Sequence, residues 1–283
     1  MELKELRKRI GEIDTKMAEL FEERMKTVKE VAKYKSERGL EVEDLERERN
    51  LINEKSSLVK DEQIRPLYVS YQQSMMDIAK RWQHQIIDGL NIAYAADYPK
   101  SKEAVSKTYA DANFTEFASF KEAYDSVASG ECDLVVLPLE NSDMGEAGKV
   151  YDLIFAGNLF VNAVHSYETD GIATRYAVLS RAESQPDSSK GDGILFVMFT
   201  VSDEVGGLAK AINIISAFDY NMRVLRERPM RDLPWNYYFY AELDGKCDDE
   251  SKKRILTALK VACPTIKIAG RFKKEDGFIY RVK

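Results

Sequence analysis

Apolar side chains at Leu3, Leu6, Ile10, Ile13, Met17 and Leu20 are spaced 3, 4, 3, 4, 3. This heptad seam predicts a helix with one continuous apolar stripe. The helix runs on without a breaker to about Arg38, and Gly39 stands where a terminating glycine belongs. Some 35 residues at about 1.5 Å each make a rod about 50 Å long. The first 88 residues cannot cover such a rod alone, so a partner chain is expected on it. A second helix is expected over LERERNLINEK, capped by Glu43 or Asp44, and a third from near 61–66 to about Ile87. Pro66 then falls in the first turn, where backbone N–H groups lack intrahelical partners anyway.

From about Leu90 the pattern changes. Short β-rich runs (NIAYA, DLVVLPL, NLFVNAVH, RYAVLS) alternate with helical ones (FKEAYDSVASG, KVYDLIFAG). The alternation predicts an α/β lobe on a largely parallel sheet over residues 89–181. Residues 182–192, AESQPDSSKGD, are polar and turn-rich and read as a linker. Beyond them GILFVMFTV, GGLAKAINIISAF, MRVLRERP, NYYFYAELDG, DESKKRILTALKVAC and TIKIAGRF give strand–helix–strand–strand–helix–strand. That is the split βαβ, ferredoxin-like order, over residues 193–283. The chain is therefore expected to be multidomain: all-α over 1–88, α/β over 89–181, and α+β over 193–283.

Composition narrows the function. Asp and Glu number 48 against 42 Lys and Arg, a net charge of −6, which argues against a binder of nucleic-acid backbones. Cys132, Cys247 and Cys263 have no CxxC spacing and offer neither a disulfide framework nor a zinc site. With His84 and His165 far apart in sequence, no metal and no cofactor is expected. The charged start MELKELRKRIGEID is unlike a signal peptide, and no run is long and apolar enough to span a membrane. A cytoplasmic protein without nucleic-acid or membrane partners is the expectation.

The candidate chemistry lies in the first domain. Arg24 falls where the heptad asks for another apolar side chain. Lys35, eleven residues on, points within about 20° of the same direction, about 16 Å further along. Arg47 and Glu48 open the second helix. Most cations in a chain that is 32% charged are solvated surface, but a seam guanidinium is costly unless an anion pairs with it. The run LRKRIGEIDTKMAELFEERMKTVKEVAKYK, the Gly39 loop and EDLERERN closely resemble the all-helical chorismate mutase domain. The resemblance is nearly ungapped over the first fifty positions. It implies an intertwined homodimer with Arg7 contributed across it, Arg24 and Lys35 on the long helix, and Asp44, Arg47 and Glu48 on the second. On the third helix it places Ala79 where the family has serine and Gln83 at the catalytic glutamine. A register with Ser74 as the serine finds Ile78 four residues on, and Gln83 is preferred because the chemistry requires a polar group there.

The implied reaction is the concerted rearrangement of chorismate, a small dicarboxylate, to prephenate. Its rate must come from holding a compact conformer and from stabilising charge on the ether oxygen. Arg7, Arg24 and Arg47 would grip carboxylates as bidentate forks. Lys35 and Gln83 would donate to the ether oxygen, Glu48 would accept from the ring hydroxyl, and Asp44 and Ala79 would complete the substrate contacts.

Two further resemblances follow. GECDLVVLPLENS, residues 130–142, and Thr174-Arg175-Tyr176 resemble the signature loop and Thr-Arg-Phe motif of prephenate dehydratase. That family is two-lobed, with its site in the cleft, whereas only 33 positions separate Asn141 from Thr174. AYAADYPKSKEA replaces the glycine-rich opening motif. One lobe is expected, with dehydratase activity lost, Glu140, Asn141, Ser142 and Thr174 surviving as turn and cap residues, and Arg175 as a vestige of the same motif. Residues 201–245 resemble the ACT regulatory domain: Gly206-Gly207-Leu208 stands at its Gly-Ala-Leu turn, and Arg226-Glu227-Arg228-Pro229 at its Glu-Ser-Arg-Pro motif, followed by Pro234-Trp235. Glycine at that turn would let a ligand or second subunit approach. The aromatic strand 237–240 is read as core and dimer surface rather than a ligand box.

The order mutase, dehydratase, ACT is that of the bifunctional chorismate mutase/prephenate dehydratase family. The expectation is a chorismate mutase of aromatic amino acid biosynthesis, with phenylalanine or tyrosine as effector and tetramers through the ACT domains as a further pairing. The alternatives are a working bifunctional enzyme, a related isochorismate lyase, and a non-catalytic amino-acid sensor subunit of another aromatic-pathway enzyme.

Overall fold

The computed structural model describes residues 2–98, 100–184, 193–230 and 236–274. They divide into two compact units, Met1–Leu90 and Asn91–Lys283. The first is three helices: α1 (Leu3–Arg38), α2 (Leu45–Ser56) and α3 (Arg65–Asp88). Each boundary has a local cause. The Glu5 carboxylate accepts the Glu2 N–H at 3.1 Å at the start of α1, and beyond Arg38 the Leu40 N–H returns to the Lys35 carbonyl at 3.0 Å. Asp44 caps α2, its Oδ1 accepting the Arg47 N–H at 3.0 Å. Pro66 lies in the first turn of α3, as expected.

This unit buries little. Ala32, Val42, Met76 and Ala79 are its buried apolar side chains. The heptad stripe is left in solvent, with Leu3 62% and Leu20 64% exposed.

The second unit holds β1 (Asn91–Ala95), α4 (Lys100–Ser106), β2 (Asn113–Phe117), α5 (Phe120–Ser129), β3 (Leu134–Asn141), β4 (Gly145–Glu146), α6 (Gly148–Ala156), β5 (Phe160–Thr169) and β6 (Ile172–Ser180). After the undescribed residues 185–192 come β7 (Gly193–Phe199), α7 (Gly207–Ala217), β8 (Asn221–Pro229), β9 (Tyr237–Gly245), α8 (Asp249–Leu259) and β10 (Ile266–Lys273). The strands order β2-β1-β3-β6-β5-β10-β7-β9-β8, with β4 beside β3. The sequence predicted a largely parallel lobe. Instead β6 runs antiparallel to both β3 and β5. The cause is a hairpin at Asp170-Gly171, whose φ values of 54° and 77° fit the mirror-image turn that matches strand twist.

The last four strands, in the order β10-β7-β9-β8 and antiparallel throughout, have the predicted split βαβ arrangement. They do not form a separate body from the lobe. Parallel pairing of β10 with β5 at Gly270 and Val161 makes one sheet of the two. The core follows suit. β7 is buried at every position. Ile194, Phe196 and Met198 face the lobe's cluster, while Leu195, Val197 and Phe199 face α7 and α8 residues such as Ile215 and Leu259. On the lobe side α6 supplies stacked rings, Tyr151 on Tyr240 at 4.0 Å and Phe155 on Tyr238 at 4.2 Å. The aromatic strand is thus core at Tyr238 and Tyr240. Lys267 of β10 donates to the carbonyls ending α6, including Phe155 at 3.2 Å, and burial pushes its ammonium down to about 8. The first expected linker residues are docked too: Glu183 pairs with Arg271 at 2.8 Å and with Lys252 at 2.7 Å.

Gly270 permits the join. A Cβ there would stand 2.0 Å from the Val161 carbonyl oxygen, a backbone atom. Gly270→Ala is therefore expected to push β10 off β5 and lower stability by about 1–3 kcal/mol. An unchanged thermal midpoint would show that the join yields freely.

Candidate functional site

In the helical unit, Arg24, Val28, Val31 and Lys35 are spaced 4, 3, 4 and share one face of α1. They line a recess with Val42, Asp44, Arg47, Glu48 and Leu51 from the α2 end and Met76, Ala79, Lys80 and Gln83 from α3. The cavity measures about 130 Å³. Seven of the residues singled out from the sequence meet here: Arg24, Lys35, Asp44, Arg47, Glu48, Ala79 and Gln83. Arg7 is exposed on α1 and does not line it. Of the alternative third-helix register, Ile78 is not among the lining residues.

The recess is charged and incompletely paired. Nη1 of Arg24 is buried without a hydrogen-bond partner among the described residues, as is Oε1 of Gln83. Burial lowers the Arg24 pKa, an effect partly opposed by Tyr71. The guanidinium stays charged, so it is a buried donor short of an acceptor. Such groups cost free energy until something pairs with them. Gln83 is 8% exposed, and its Nε2 donates at 3.4 Å to the Ala79 carbonyl. A half-turn of the amide would exchange acceptor for donor at the recess. Lys35 Nζ donates to the Val42 carbonyl at 2.7 Å, tying the loop between α1 and α2 to the floor. Asp44 is engaged as the helix cap.

Sequence reasoning missed Lys80, whose Nζ lies 3.0 Å from Glu48 Oε2 and 3.4 Å from Asp77. Burial lowers its pKa, but the two carboxylates outweigh that and raise it. Helical spacing offered one cue, since Lys80 lies three residues before Gln83 on the same face of α3, but its partner Glu48 is on another helix.

In the second unit the expected dehydratase residues hold internal contacts. Asn141 Nδ2 donates to Thr174 Oγ1 at 2.8 Å, and its Oδ1 accepts the N–H groups of Asp143 and Met144. Ser142 Oγ accepts the Ala173 N–H at 3.0 Å. Glu140 is a residue of strand β3 and not of a turn or cap, and Arg175 is a strand residue too. Buried in β6, it makes a bidentate pair with Glu242 of β9, both bonds 2.9 Å. Glu140 pairs with Arg226 at 2.8 Å.

The expected effector residues divide. Leu208 and Glu227 line a second recess of about 480 Å³ with Asp203, Tyr237 and Phe239. Arg226 goes to Glu140, and Arg228 to Asp152 and Glu146, each at 3.0 Å. The hydroxyls of Tyr238 and Tyr240 donate to Asp152 and Glu146 in turn. Pro229 ends β8. Gly206 is the left-handed residue before α7. What Gly207 lets approach is the chain itself: a Cβ there would meet the Ser202 carbonyl oxygen at 2.4 Å. Pro234 and Trp235 lie outside the described residues.

Comparison with known proteins gives two family matches. The Chorismate mutase type II model matches residues 6–84 and the Prephenate dehydratase model matches residues 99–170. The chain is 22% identical over 368 aligned positions to the bifunctional chorismate mutase/prephenate dehydratase of Aquifex aeolicus, covering 96% of this chain and 98% of that one. Since this chain has 283 residues, at least 85 of those positions (368 − 283) are gaps in it. It is 28% identical to the enzyme of the same name from Buchnera aphidicola subsp. Acyrthosiphon pisum, over 55% of this chain but under half, 44%, of that one. Among solved structures, prephenate dehydratase of Arthrobacter aurescens in complex with L-Phe aligns with a TM-score of 0.58 at 16% identity, covering 69% of this chain and 93% of that one. GqqA, a quorum quenching acylase, aligns with the same TM-score at 21% identity, covering 65% and 95%. The shared fold therefore does not choose an activity.

Proposed function

Because this chain carries, in one polypeptide, the chorismate mutase and prephenate dehydratase domains of the bifunctional enzymes, we propose that it converts chorismate to prephenate in its helical unit. The observation that carries this reading is the unpaired, buried Arg24 Nη1 in a recess it shares with Lys35, Arg47 and Gln83. A carboxylate supplies the acceptor that Arg24 lacks. Lys35 and Gln83 then serve the ether oxygen, and Glu48 the ring hydroxyl. None of these steps needs a nucleophile, since the rearrangement is concerted and gains from positioning and charge stabilisation.

Assembly belongs to the same proposal. The exposed stripe along α1 is the surface a second copy would cover. Pairing there would bring the partner's long helix, with its Arg7, against this unit. Phenylalanine or tyrosine is proposed as the effector, taken at the recess of Leu208 and Glu227; one relative by fold was solved with L-Phe. Pairing through the last four strands would give tetramers, and the cytoplasm is the proposed location.

Dehydratase activity is proposed to be lost. The alignment gaps are of the size of a missing lobe. The buried Arg175 is also spent on Glu242 rather than open to a substrate. The family match over residues 99–170 favours the second reading, a working bifunctional enzyme. One experiment separates them. Purified protein should consume chorismate and accumulate prephenate, with phenylalanine altering the rate. Accumulation of phenylpyruvate would establish the second reading, and no loss of chorismate would remove both.

A further inference from the structure

We propose that Lys80 is a positioning residue for the mutase reaction, acting through Glu48. The inference rests on the mutase reading above and adds to it a residue that none of the sequence motifs assigned.

Three observations converge on it. First, Lys80 reaches from α3 to α2, where its Nζ takes Oε2 of Glu48 at 3.0 Å, with both side chains about four-fifths buried. Pairing through one oxygen anchors Oε2 and leaves Oε1 to accept from a ligand hydroxyl. Charge-assisted contacts between partly desolvated groups are the ones strong enough to hold such a geometry. Second, Lys80 adds to the positive balance of this chain's recess lining. Arg24, Lys35, Arg47 and Lys80 stand against Asp44 and Glu48, a net +2 that complements a dicarboxylate. Without Lys80 the balance is +1, and Glu48 is free to turn toward Arg47 or to repel the incoming anion. Third, Asp77, one turn earlier on α3, holds the same ammonium at 3.4 Å. Lys80 therefore lines the recess as a cation bridged between two carboxylates.

The test is a double-mutant cycle on the full chain, with chorismate turnover as the readout. Wild-type protein must turn over chorismate; if it does not, the mutase reading fails and not this one. Given activity, Lys80→Met is expected to lower kcat/KM by about tenfold to a hundredfold, the worth of a charge-assisted contact. Lys80→Arg should restore most of it. Because Lys80 acts through Glu48, adding Lys80→Met to Glu48→Gln should cost little beyond Glu48→Gln alone, whereas independent sites would multiply their losses. The thermal midpoint of the helical unit checks that Lys80→Met folds, and Lys80→Gln serves in its place if it does not. Multiplicative losses in the double variant, or wild-type turnover in both neutral variants, would overturn the proposal.

Discussion

Lys35→Ala is expected to lower chorismate turnover by about 10²–10³-fold, the usual cost of removing one preorganised donor from a developing oxyanion. The geometry explains why the loss should fall on kcat more than on folding. In the free protein Lys35 Nζ donates to the Val42 carbonyl at 2.7 Å. Losing this bond costs about 1 kcal/mol of loop order, too little to unfold three helices. The α1 face loses only one of the charges that converge on the recess, and Arg24 and Arg47 remain there for the proposed grip on the carboxylates. Substrate affinity should therefore fall less than turnover. Steady-state kinetics, with helix content followed by circular dichroism and mass by sedimentation, checks this. Near-native turnover in a folded variant would take Lys35 out of the reaction.

The helical unit was legible because its signals are local. The heptad of Leu3 to Leu20, the glycine after Arg38, the Asp44 cap and Pro66 each act within a turn or two of themselves, and tertiary packing had little to override. The recess was legible for the same reason: Arg24 and Lys35 share a face by helical arithmetic alone. Lys80 was missed because its significance lies in Glu48, 32 residues away and on another helix. The second unit was less legible. Asp170-Gly171 announced a hairpin that would have made β6 antiparallel, but the apolar run after it reads equally well as a parallel strand. Nothing in 182–192 foretells that Glu183 will pair with Arg271. The fusion of lobe and ferredoxin-like module into one sheet depends on Gly270 meeting Val161, a non-local fact. One clue was present in β9: its inward positions run Tyr238, Tyr240, Glu242. A carboxylate in that alternation calls for a buried cation.

That cation is Arg175, and Glu242→Ala is expected to destabilise the second unit by about 3–5 kcal/mol. Arg175 and Glu242 are 2–3% exposed and share two bonds of 2.9 Å. Removing Glu242 takes the bidentate carboxylate from a buried guanidinium, and Glu140 at 4.0 Å is itself engaged with Arg226. The cost thus measures a buried guanidinium deprived of its bidentate carboxylate, not the net worth of the pair. Replacing both, Arg175→Met with Glu242→Leu, should restore stability to near the wild-type level or above it, because a packed apolar pair avoids the desolvation of two ions. Hydrogen exchange at the amides of β6 and β9 is the suitable probe, since the chain has two units and its unfolding need not be two-state. The pair of variants also bears on chemistry. If Arg175 serves only to join the lobe to the last four strands, the double variant keeps the stability and the chorismate turnover of the wild type, and neither protein forms phenylpyruvate. Phenylpyruvate formed by the wild type and lost in the stable double variant would instead make Arg175 a substrate anchor, and the dehydratase a working one.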